Sequence, residues 1–535
     1  MKLPRADFLV FLFAGAALAW NLWNIGIASG YIDPVRHLGA QDEATYTREA
    51  ITMAREGGWM TPTFLGRWVF EKPPLLMWLS ALSMKLFGIG RLPARLPAVL
   101  AGALICALCF AIVRRERTVA AGVCAAAMAL SSQLLFTMSR HNMTDILLAA
   151  AGVCAIACLQ RGWWAGFAMA VACGILSKSV AGLLPAAAAA VWVVVRRGGP
   201  VWPDRHSRIR AAVAGASALA IALPWYVWNF LAHRDWFLAD MGFQLITTGS
   251  ASRQTSPENH VWFYISRILH SDPATAAILV LALPAIWTAL RRRESTAVLL
   301  ASGALVYFAA LMVFRFHSEQ YLTWLLPWLI LAGAVYSPVL RGRWAWIAAA
   351  ALMAIFAVRA GSLGYYRSGS TIAAAPVLER YCGQRRTADL YILGVGDEFY
   401  SAVLPLGRVR YGWVDPTGLT AREHPHLAHL GILISAGELA SLDAGMPVYA
   451  QRLREWGMNS TRAVGTGIAA HDPAELRELV RQRPESDFLV ARAILPEPEK
   501  DAAHRVVFAN AEFTLLESLA PAGAMREPAA WPCGM

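Results

Sequence analysis

Apolar runs long enough to cross a lipid bilayer recur along the chain from residue 8 to residue 361. A membrane-spanning helix needs roughly 20 predominantly apolar residues, because the hydrocarbon core of a bilayer is about 30 Å thick. Hydrophobic residues make up 57% of the chain and charged residues only 16%, whereas soluble domains carry about a quarter of charged residues. The pattern predicts a polytopic α-helical membrane protein.

The apolar runs predict about eleven crossings, and the segment 74–88 is not one of them. That segment is apolar but short, carries Lys85 and follows two prolines, so we expect it to lie in the membrane interface. A pair of additional short crossings would preserve the sidedness, which gives an expectation of about 11–13 transmembrane helices. The expected spans lie at about 8–27, 97–113, 118–137, 146–160, 163–177, 179–195, 211–231, 273–290, 296–314, 321–338 and 344–361.

Arginine clusters between these runs predict the orientation. If the N-terminus is cytoplasmic and 74–88 does not cross, every dense basic cluster between spans falls on the cytoplasmic side, as the positive-inside rule requires. Topology thus accounts for the formal net charge of +12, and no nucleic-acid partner is expected. The clusters contain Arg114, Arg115, Arg117, Arg161, Arg196, Arg197, Arg205, Arg208, Arg210, Arg291, Arg292, Arg293, Arg341 and Arg343.

From about residue 365 charged residues become frequent and long apolar runs stop. Strand patterns alternate with helix patterns, which predicts a small α/β domain at 365–535 on the non-cytoplasmic side. The preceding domain, 1–364, is expected to span the membrane, with its first outer loop at 28–96. The strand patterns cover 388–396, 429–435 and 486–494, the helix patterns cover 438–445 and 473–483, and Gly394 and Gly396 are interpreted as a turn.

This topology gathers ionisable residues at the outer face of the membrane. Asp145 and Lys178 are the most informative, since they lie in short turns between apolar spans, where charge is least needed for solvation. Ionisable residues at the edges of spans are functional candidates. The set comprises Asp42, Glu43, Glu71, Lys72, Arg140, His141, Asp145, Lys178, Arg253, His260, His270, Arg315, His317 and Glu319, with Tyr46 beside the first acidic pair.

Several motifs in these outer segments resemble one family. They are the Asp42-Glu43 pair with Tyr46, the stretch Gly58 to Pro62, FEKPPLLMW at 70–78, SRHNMTDILL at 139–148 and LSKSVAGLLP at 176–185. Together they resemble the aminoarabinose transferase and protein O-mannosyltransferase group, whose members are glycosyltransferases of the GT-C fold. The resemblance covers roughly residues 5–340.

The resemblance implies a polyprenyl-phosphate sugar as donor, with the active site on the periplasmic face of a bacterial inner membrane. Such chemistry needs cations for the phosphate that leaves, and Lys72, Lys178 and Arg253 suit that task. It also needs a carboxylate near the reacting carbon, and Asp42 is the first candidate and Asp145 the second. The interface helix and its neighbours are expected to supply a groove for the prenyl chain. Further substrate contacts are expected from Glu43, Tyr46 and His260.

A divalent cation is the one cofactor that the resemblance suggests. Glu71 and His317 are its candidate ligands, and the alternative is that both serve as hydrogen-bonding groups. Two ligands in distant loops are a weak metal signal, because metal sites ordinarily use three or four protein ligands.

Three functions remain open from the residues. The chain could transfer an amino sugar to a phosphate of lipid A, or act as a protein O-mannosyltransferase, or transport lipid-linked sugars. A transporter would place ionisable residues near the bilayer midplane and contain inverted repeats. Here these residues gather at one surface, and the first loop is more similar to the aminoarabinose branch, so the lipid A enzyme is preferred.

Overall fold

Long apolar helices build most of the protein in the computed structural model. The structure describes residues 5–22, 40–64, 67–195, 205–234, 237–238, 241, 260–313, 318–363, 390–393, 409–414, 467–470, 480–491, 503–509 and 513–520.

The helices of the first 363 residues are joined mostly by short turns. A two-stranded hairpin, β1 (Thr63–Phe64) with β2 (Arg67–Trp68), precedes the third of them. The helices are α1 (Arg5–Leu22), α2 (Ala40–Glu56), α3 (Leu75–Phe87), α4 (Arg91–Glu116), α5 (Val119–Ser131), α6 (Gln133–Ser139), α7 (Thr144–Arg161), α8 (Trp164–Lys178), α9 (Leu184–Val195), α10 (Arg205–Ala232), α11 (His260–Ser271), α12 (Pro273–Arg291), α13 (Ser295–Val313), α14 (Leu322–Tyr336) and α15 (Arg343–Leu363).

By length and composition, six helical stretches of the described chain can cross a membrane, or seven if the bent pair α5 and α6 counts as one span. The chain is therefore a multi-pass membrane protein. The number is below the expected 11–13, because several apolar helices are shorter than a span and α8 to α9 counts as one stretch. The six are Leu92–Glu116, Thr144–Arg161, Trp164–Val195, Ile209–Ala232, Pro273–Arg291 and Ser295–Val313, and shorter apolar helices cover Phe8–Leu22, Leu75–Phe87 and Arg343–Val358.

α4 and α7 form the centre of the bundle. α4 packs against α1, α3, α5, α7 and α14, and α7 packs against α8 and α14. Both are apolar around most of their circumference, which is typical of helices buried on all sides. α10 differs, since its apolar residues Val213, Leu219, Leu223, Val227 and Leu231 are exposed, as expected of a helix that faces lipid.

The segment 74–88 forms α3, as an interface helix would require. Its 13 residues give a length of about 20 Å at about 1.5 Å per residue, which is too short to cross the hydrocarbon core. One side of the helix packs on the core through Leu76, Met77 and Met84, while Leu82 and Leu86 are exposed.

The chain folds back on itself between α8 and α9. A 3₁₀ turn (Ser179–Leu183) follows Lys178, and Ser179 has a φ of 49°. Gly182 lies directly against the backbone of Gly174, eight residues earlier, whereas eight residues of a continuous helix would separate them by about 12 Å. α9 packs against α13 after this turn. The sequence therefore placed a turn correctly beside Lys178.

A six-stranded mixed sheet lies near the C-terminus. Its order is β5-β4-β3-β6-β8-β7, with parallel pairing from β5 to β6 and antiparallel pairing from β6 to β7. The strands are β3 (Leu390–Leu393), β4 (Val409–Val414), β5 (Gly467–Ala470), β6 (Asp487–Ala491), β7 (His504–Ala509) and β8 (Phe513–Ser518).

Two of the strands predicted from sequence are confirmed, since β3 falls within 388–396 and β6 within 486–494. Residues 480–482 are helical, inside the predicted helix 473–483. Three further predictions lie outside the described residues: the strand 429–435, the helix 438–445 and the turn at Gly394 and Gly396. The boundary between 364 and 365 stays a prediction.

The fold-back next to Lys178 depends on the absence of a side chain at position 182. A Cβ atom there would lie 2.1 Å from the Gly174 carbonyl carbon and from the Ile175 nitrogen. We expect Gly182→Ala to lower the free energy of unfolding by about 1–3 kcal/mol, the usual cost of overpacking. Gly215→Ala is the control, because nothing lies within 4 Å of its Cβ position. Thermal unfolding in one detergent compares them, and equal stability of the two variants would contradict this packing.

Candidate active site at one end of the helices

Glu43 is buried between α2, α4 and the turn that follows α6. The Nε and Nη2 atoms of Arg95 donate to its two carboxylate oxygens over 2.6 and 2.9 Å. The backbone N–H of Asn142 donates to the same carboxylate over 3.0 Å. The paired, two-point geometry is the strongest that a carboxylate forms with a guanidinium. It attaches α2 to the centre of the bundle.

Burial, the Arg95 guanidinium and nearby hydrogen bonds determine the pKa of Glu43. Burial alone would raise it, but the Arg95 guanidinium and the hydrogen bonds from Arg95 and Asn142 outweigh burial and hold the pKa below its ordinary value. His141 lies 3.9 Å from Glu43, and burial together with Arg95 lowers the pKa of His141 despite that carboxylate. Glu43 is therefore ionised and His141 neutral near pH 7.

Asn142 extends this network to two more elements. Its Nδ2 donates to the Thr47 hydroxyl over 3.1 Å, and its Oδ1 accepts from the Ser80 hydroxyl over 3.0 Å. Thr47 belongs to α2 and Ser80 to α3, and all three side chains are buried. The side chain of Asn142 therefore ties both helices of the first outer loop to the turn at 140–143. Asp42 precedes Glu43 on α2, and its side chain lies outside the described residues.

Asp145 and Lys178 form the second buried ion pair. The Lys178 Nζ donates to Asp145 Oδ1 over 2.6 Å, and the Trp324 indole N–H donates to the same oxygen over 2.8 Å. The ammonium also lies over the rings of Tyr321 and Trp324, at 4.7 and 4.8 Å from their centroids. Such rings attract a cation through their electron-rich faces. Asp145 stands in the first turn of α7, where the helix dipole favours a negative charge.

One carboxylate oxygen of Asp145 accepts no hydrogen bond within the described residues. Asp145 is 1% exposed, and its Oδ2 has no hydrogen-bond partner within the described part of the chain. A buried acceptor without a partner is costly, and a carboxylate oxygen can only accept. A ligand group that reaches Asp145 Oδ2 must therefore be a donor, such as a hydroxyl or an ammonium, and not a phosphate oxygen.

The two networks are neighbours, because Asn142 and Asp145 are three residues apart in one turn. The dense arginine clusters lie at the opposite ends of the same helices. α4 carries Arg95 near its beginning and Arg114 in its last turn, while α7 carries Asp145 in its first turn and Arg161 in its last. The side of the membrane on which each end lies stays a prediction from the positive-inside rule.

The structure describes the side chains of only some of the other candidate residues. Glu71 and Lys72 are half-buried in the loop between β2 and α3, and Tyr46 is buried in the apolar core. His260 begins α11, with its side chain outside the described residues. Arg253 and His317 also lie outside the described residues, so the pairing of Glu71 with His317 stays a prediction. Among the described side chains, no group of three or more His, Cys, Asp and Glu could hold a metal ion.

Sequence reasoning missed Arg95, Asn142, Tyr321 and Trp324 as members of these networks. Arg95 carried a usable signal, since it is a charged residue two positions before an expected span and is fully paired in the structure. The aromatic residues gave no such signal, because Trp324 meets Asp145 across 179 residues and Tyr321 meets the distant Lys178.

Comparisons with known proteins agree with this fold. A family model described as dolichyl-phosphate-mannose-protein mannosyltransferase matches residues 71–228. The crystal structures of ArnT from Cupriavidus metallidurans, in the apo state and bound to undecaprenyl phosphate, both superpose with a TM-score of 0.66 at 18% identity. The two matches cover 96% and 95% of this chain and 98% and 97% of theirs. The chain is thus a multi-pass membrane protein with the GT-C fold.

Curated relatives carry the name undecaprenyl phosphate-alpha-4-amino-4-deoxy-L-arabinose arabinosyl transferase. One from Edwardsiella ictaluri is 32% identical over 36% of this chain, and one from Pseudomonas aeruginosa is 26% identical over 59%. The matched regions span the same shares, 36% and 59%, of the relatives' own lengths. These matches confirm the predicted resemblance to the group formed by the aminoarabinose transferases and the protein O-mannosyltransferases.

The Glu43–Arg95 pair should be the main polar contribution to stability at this end of the bundle. We expect Glu43→Gln to lower the free energy of unfolding by about 3–5 kcal/mol, because it leaves a buried guanidinium without a countercharge. Chemical unfolding in detergent at neutral pH measures this loss. Since the pKa of Glu43 is lowered on folding, its contribution is present above the unfolded pKa and disappears as the pH falls through the folded value.

The double variant Glu43→Gln with Arg95→Met separates pairing from packing. It removes both charges, so it should be more stable than Glu43→Gln alone. If the two substitutions destabilise additively, the ion pair is not the interaction that anchors α2.

Proposed function

We propose that this protein is a glycosyltransferase that moves an amino sugar from a polyprenyl-phosphate donor to a phosphate of lipid A. The observation that carries the proposal is the buried Asp145–Lys178 pair, with an unused carboxylate oxygen, next to the network that anchors α2 and Asp42. The names of the curated relatives and the polyprenyl lipid bound to the similar ArnT structure support the choice of donor.

Each substrate part has a candidate partner in this arrangement. The donor phosphate leaves with negative charge, which Lys72 and Lys178 can balance as point charges in a region of low dielectric. Arg253 lies outside the described residues and stays a predicted third cation. The unused oxygen of Asp145 can accept from a hydroxyl or ammonium of the sugar. The exposed apolar residues of α3, among them Leu82 and Leu86, offer a surface for the prenyl chain.

Asp42 is the proposed catalytic carboxylate at the reacting carbon. An acceptor phosphate is already anionic, so Asp42 would then position the acceptor and stabilise positive charge that develops on the sugar. A hydroxyl acceptor would instead use Asp42 as a general base. Glu43, Tyr46 and His260 stay predicted substrate contacts, and a divalent cation held by Glu71 and His317 stays a prediction.

We place the protein in the bacterial inner membrane, with the active site on the periplasmic face. The arrangement of charge along the helices supports this orientation, since Arg114, Arg161 and Arg291 lie in last turns while Asp145 lies in the first turn of α7. Loops rich in arginine remain on the cytoplasmic side.

Protein O-mannosyl transfer is the second candidate function. The family model that matches residues 71–228 is named for that reaction. The curated relatives are named for arabinosyl transfer, and that favours the lipid acceptor.

The kinetics of lysine variants test the proposal. We expect Lys72→Ala and Lys178→Ala to lower kcat/KM for the donor by about one to two decades, since a charge-assisted contact is worth about 1.5–3 kcal/mol. The assay uses nanodiscs, holds either the polyprenyl-phosphate sugar or lipid A at saturation, and titrates the other. Lys85→Ala is the control. Lys85 belongs to α3, and its ammonium lies over the ring of Trp59, 5.7 Å from the ring centroid.

The opposite pattern would contradict the assignment. If both variants respond to the donor as the wild type does and lose only the response to lipid A, these lysines bind the acceptor. If the wild-type protein transfers nothing to lipid A but glycosylates a polypeptide, the second candidate function is correct.

A further inference from the structure

The last turn of α10 holds a fully buried amide against the first outer loop. Asn229 is 0% exposed. Its Nδ2 donates to the Met60 carbonyl over 2.9 Å and to the Trp225 carbonyl over 2.8 Å, and its Oδ1 accepts from the Thr61 hydroxyl over 3.1 Å. Both N–H groups and the oxygen of the amide are therefore used, and two of the three bonds go to the loop.

The other arm of the same loop also lies against this end of α10. The ring of Trp68 is 4.1 Å from that of His233, between centroids, and Phe70 packs on His233 and Trp225 at 5.8 and 6.4 Å. His233 itself lies 3.4 Å from the Thr61 hydroxyl. The end of α10 thus contacts the loop both before and after the β1–β2 hairpin.

The two arms are joined to each other directly. The N–H of Val69 donates to the Pro62 carbonyl over 3.1 Å. Lys72 follows Val69 by three residues and precedes two prolines, Pro73 and Pro74, whose rings restrict the backbone. Only Glu71 separates Lys72 from Phe70, which packs against α10. The position of Lys72 therefore depends on the position of the loop.

Burying an amide at this position costs free energy of solvation. The amide is therefore informative about the position of the loop that it binds. A buried polar group loses solvation that only good hydrogen bonds restore, and an apolar side chain of equal size would pack there with less risk. The neighbouring residues Val227 and Leu231 of α10 are apolar and exposed. Because hydrogen bonds are directional, Asn229 specifies one arrangement of loop and helix where apolar packing would allow several.

We propose that Asn229, through Thr61, is a positioning residue that holds the loop so that Lys72 meets the donor phosphate. The inference rests on the proposed function for the role of Lys72. It adds that binding of the polyprenyl-phosphate donor, and not of the acceptor, depends on the junction between α10 and the loop.

Substitutions on both sides of the junction test this. Asn229→Leu keeps the number of side-chain heavy atoms and the branch at Cγ and removes all three hydrogen bonds, Thr61→Val removes one of them, and Thr61→Ser retains it. Thr288→Val is the control. It removes a hydrogen bond from the Thr288 hydroxyl to the Pro284 carbonyl, near the C-terminal end of α12. Steady-state kinetics in nanodiscs give KM for the polyprenyl-phosphate sugar, KM for lipid A and kcat.

We expect Asn229→Leu to raise the donor KM about tenfold and Thr61→Val to raise it severalfold, as loss of one or two hydrogen bonds predicts. The lipid A KM and kcat should stay close to those of the wild type, whereas the melting temperature of Asn229→Leu should fall because buried hydrogen bonds are lost. Thr61→Ser and Thr288→Val should behave as the wild type does. Equal changes in both KM values, or an unchanged donor KM in both junction variants, would overturn the inference.

A second readout does not require transfer. An amine-specific reagent is added to the detergent-solubilised full chain, and mass spectrometry measures the rate at which Lys72 is modified. We expect Asn229→Leu and Thr61→Val to change that rate, and Thr61→Ser to leave it unchanged. An unchanged rate in both junction variants overturns the positioning role, whereas a wild-type protein that transfers no sugar refutes the proposed function alone.

Discussion

The bidentate ion pair between Glu43 and Arg95 is the interaction on which the rest of the site depends. It joins the helix of the first outer loop to the central helix of the bundle, and its carboxylate also receives the N–H of Asn142. Asn142 stands three residues before Asp145, which holds Lys178. Buried polar contacts therefore join the first loop to the turn at 140–143, and three residues of backbone connect that turn to the second ion pair. Apolar packing supports these groups but does not specify their positions.

Buried charges are tolerated here because each is matched. In a low-dielectric interior an isolated ion is strongly disfavoured, while a paired and hydrogen-bonded one can be accommodated. Glu43 has Arg95, and Asp145 has Lys178, whose ammonium also faces two aromatic rings. Asp145 Oδ2 is an unused acceptor within this second ion pair, and a donor group of a ligand would complete its hydrogen bonding. Charge matching thus indicates both how the site is held and where a sugar would bind.

Much of the fold followed from hydrophobicity alone, and the site followed only in part. The apolar runs predicted the helices, while the side of the membrane on which the site lies stays a prediction from the arginine clusters. Asp145 and Lys178 stood out because charge in a short turn between spans needs a reason. Arg95, Asn142 and Trp324 did not stand out, because their partners lie 52, 99 and 179 residues away and pairing across such distances is decided by tertiary packing.

Mass spectrometry of lipid A tests the central claim most directly. Lipid A is extracted from a bacterial strain that lacks the gene, from the same strain producing this protein, and from one producing the Asp42→Asn variant at equal membrane levels. We expect a pentosamine on a lipid A phosphate only where the unaltered protein is present. Identical lipid A in all three strains, under conditions where the donor lipid is present, would contradict the account.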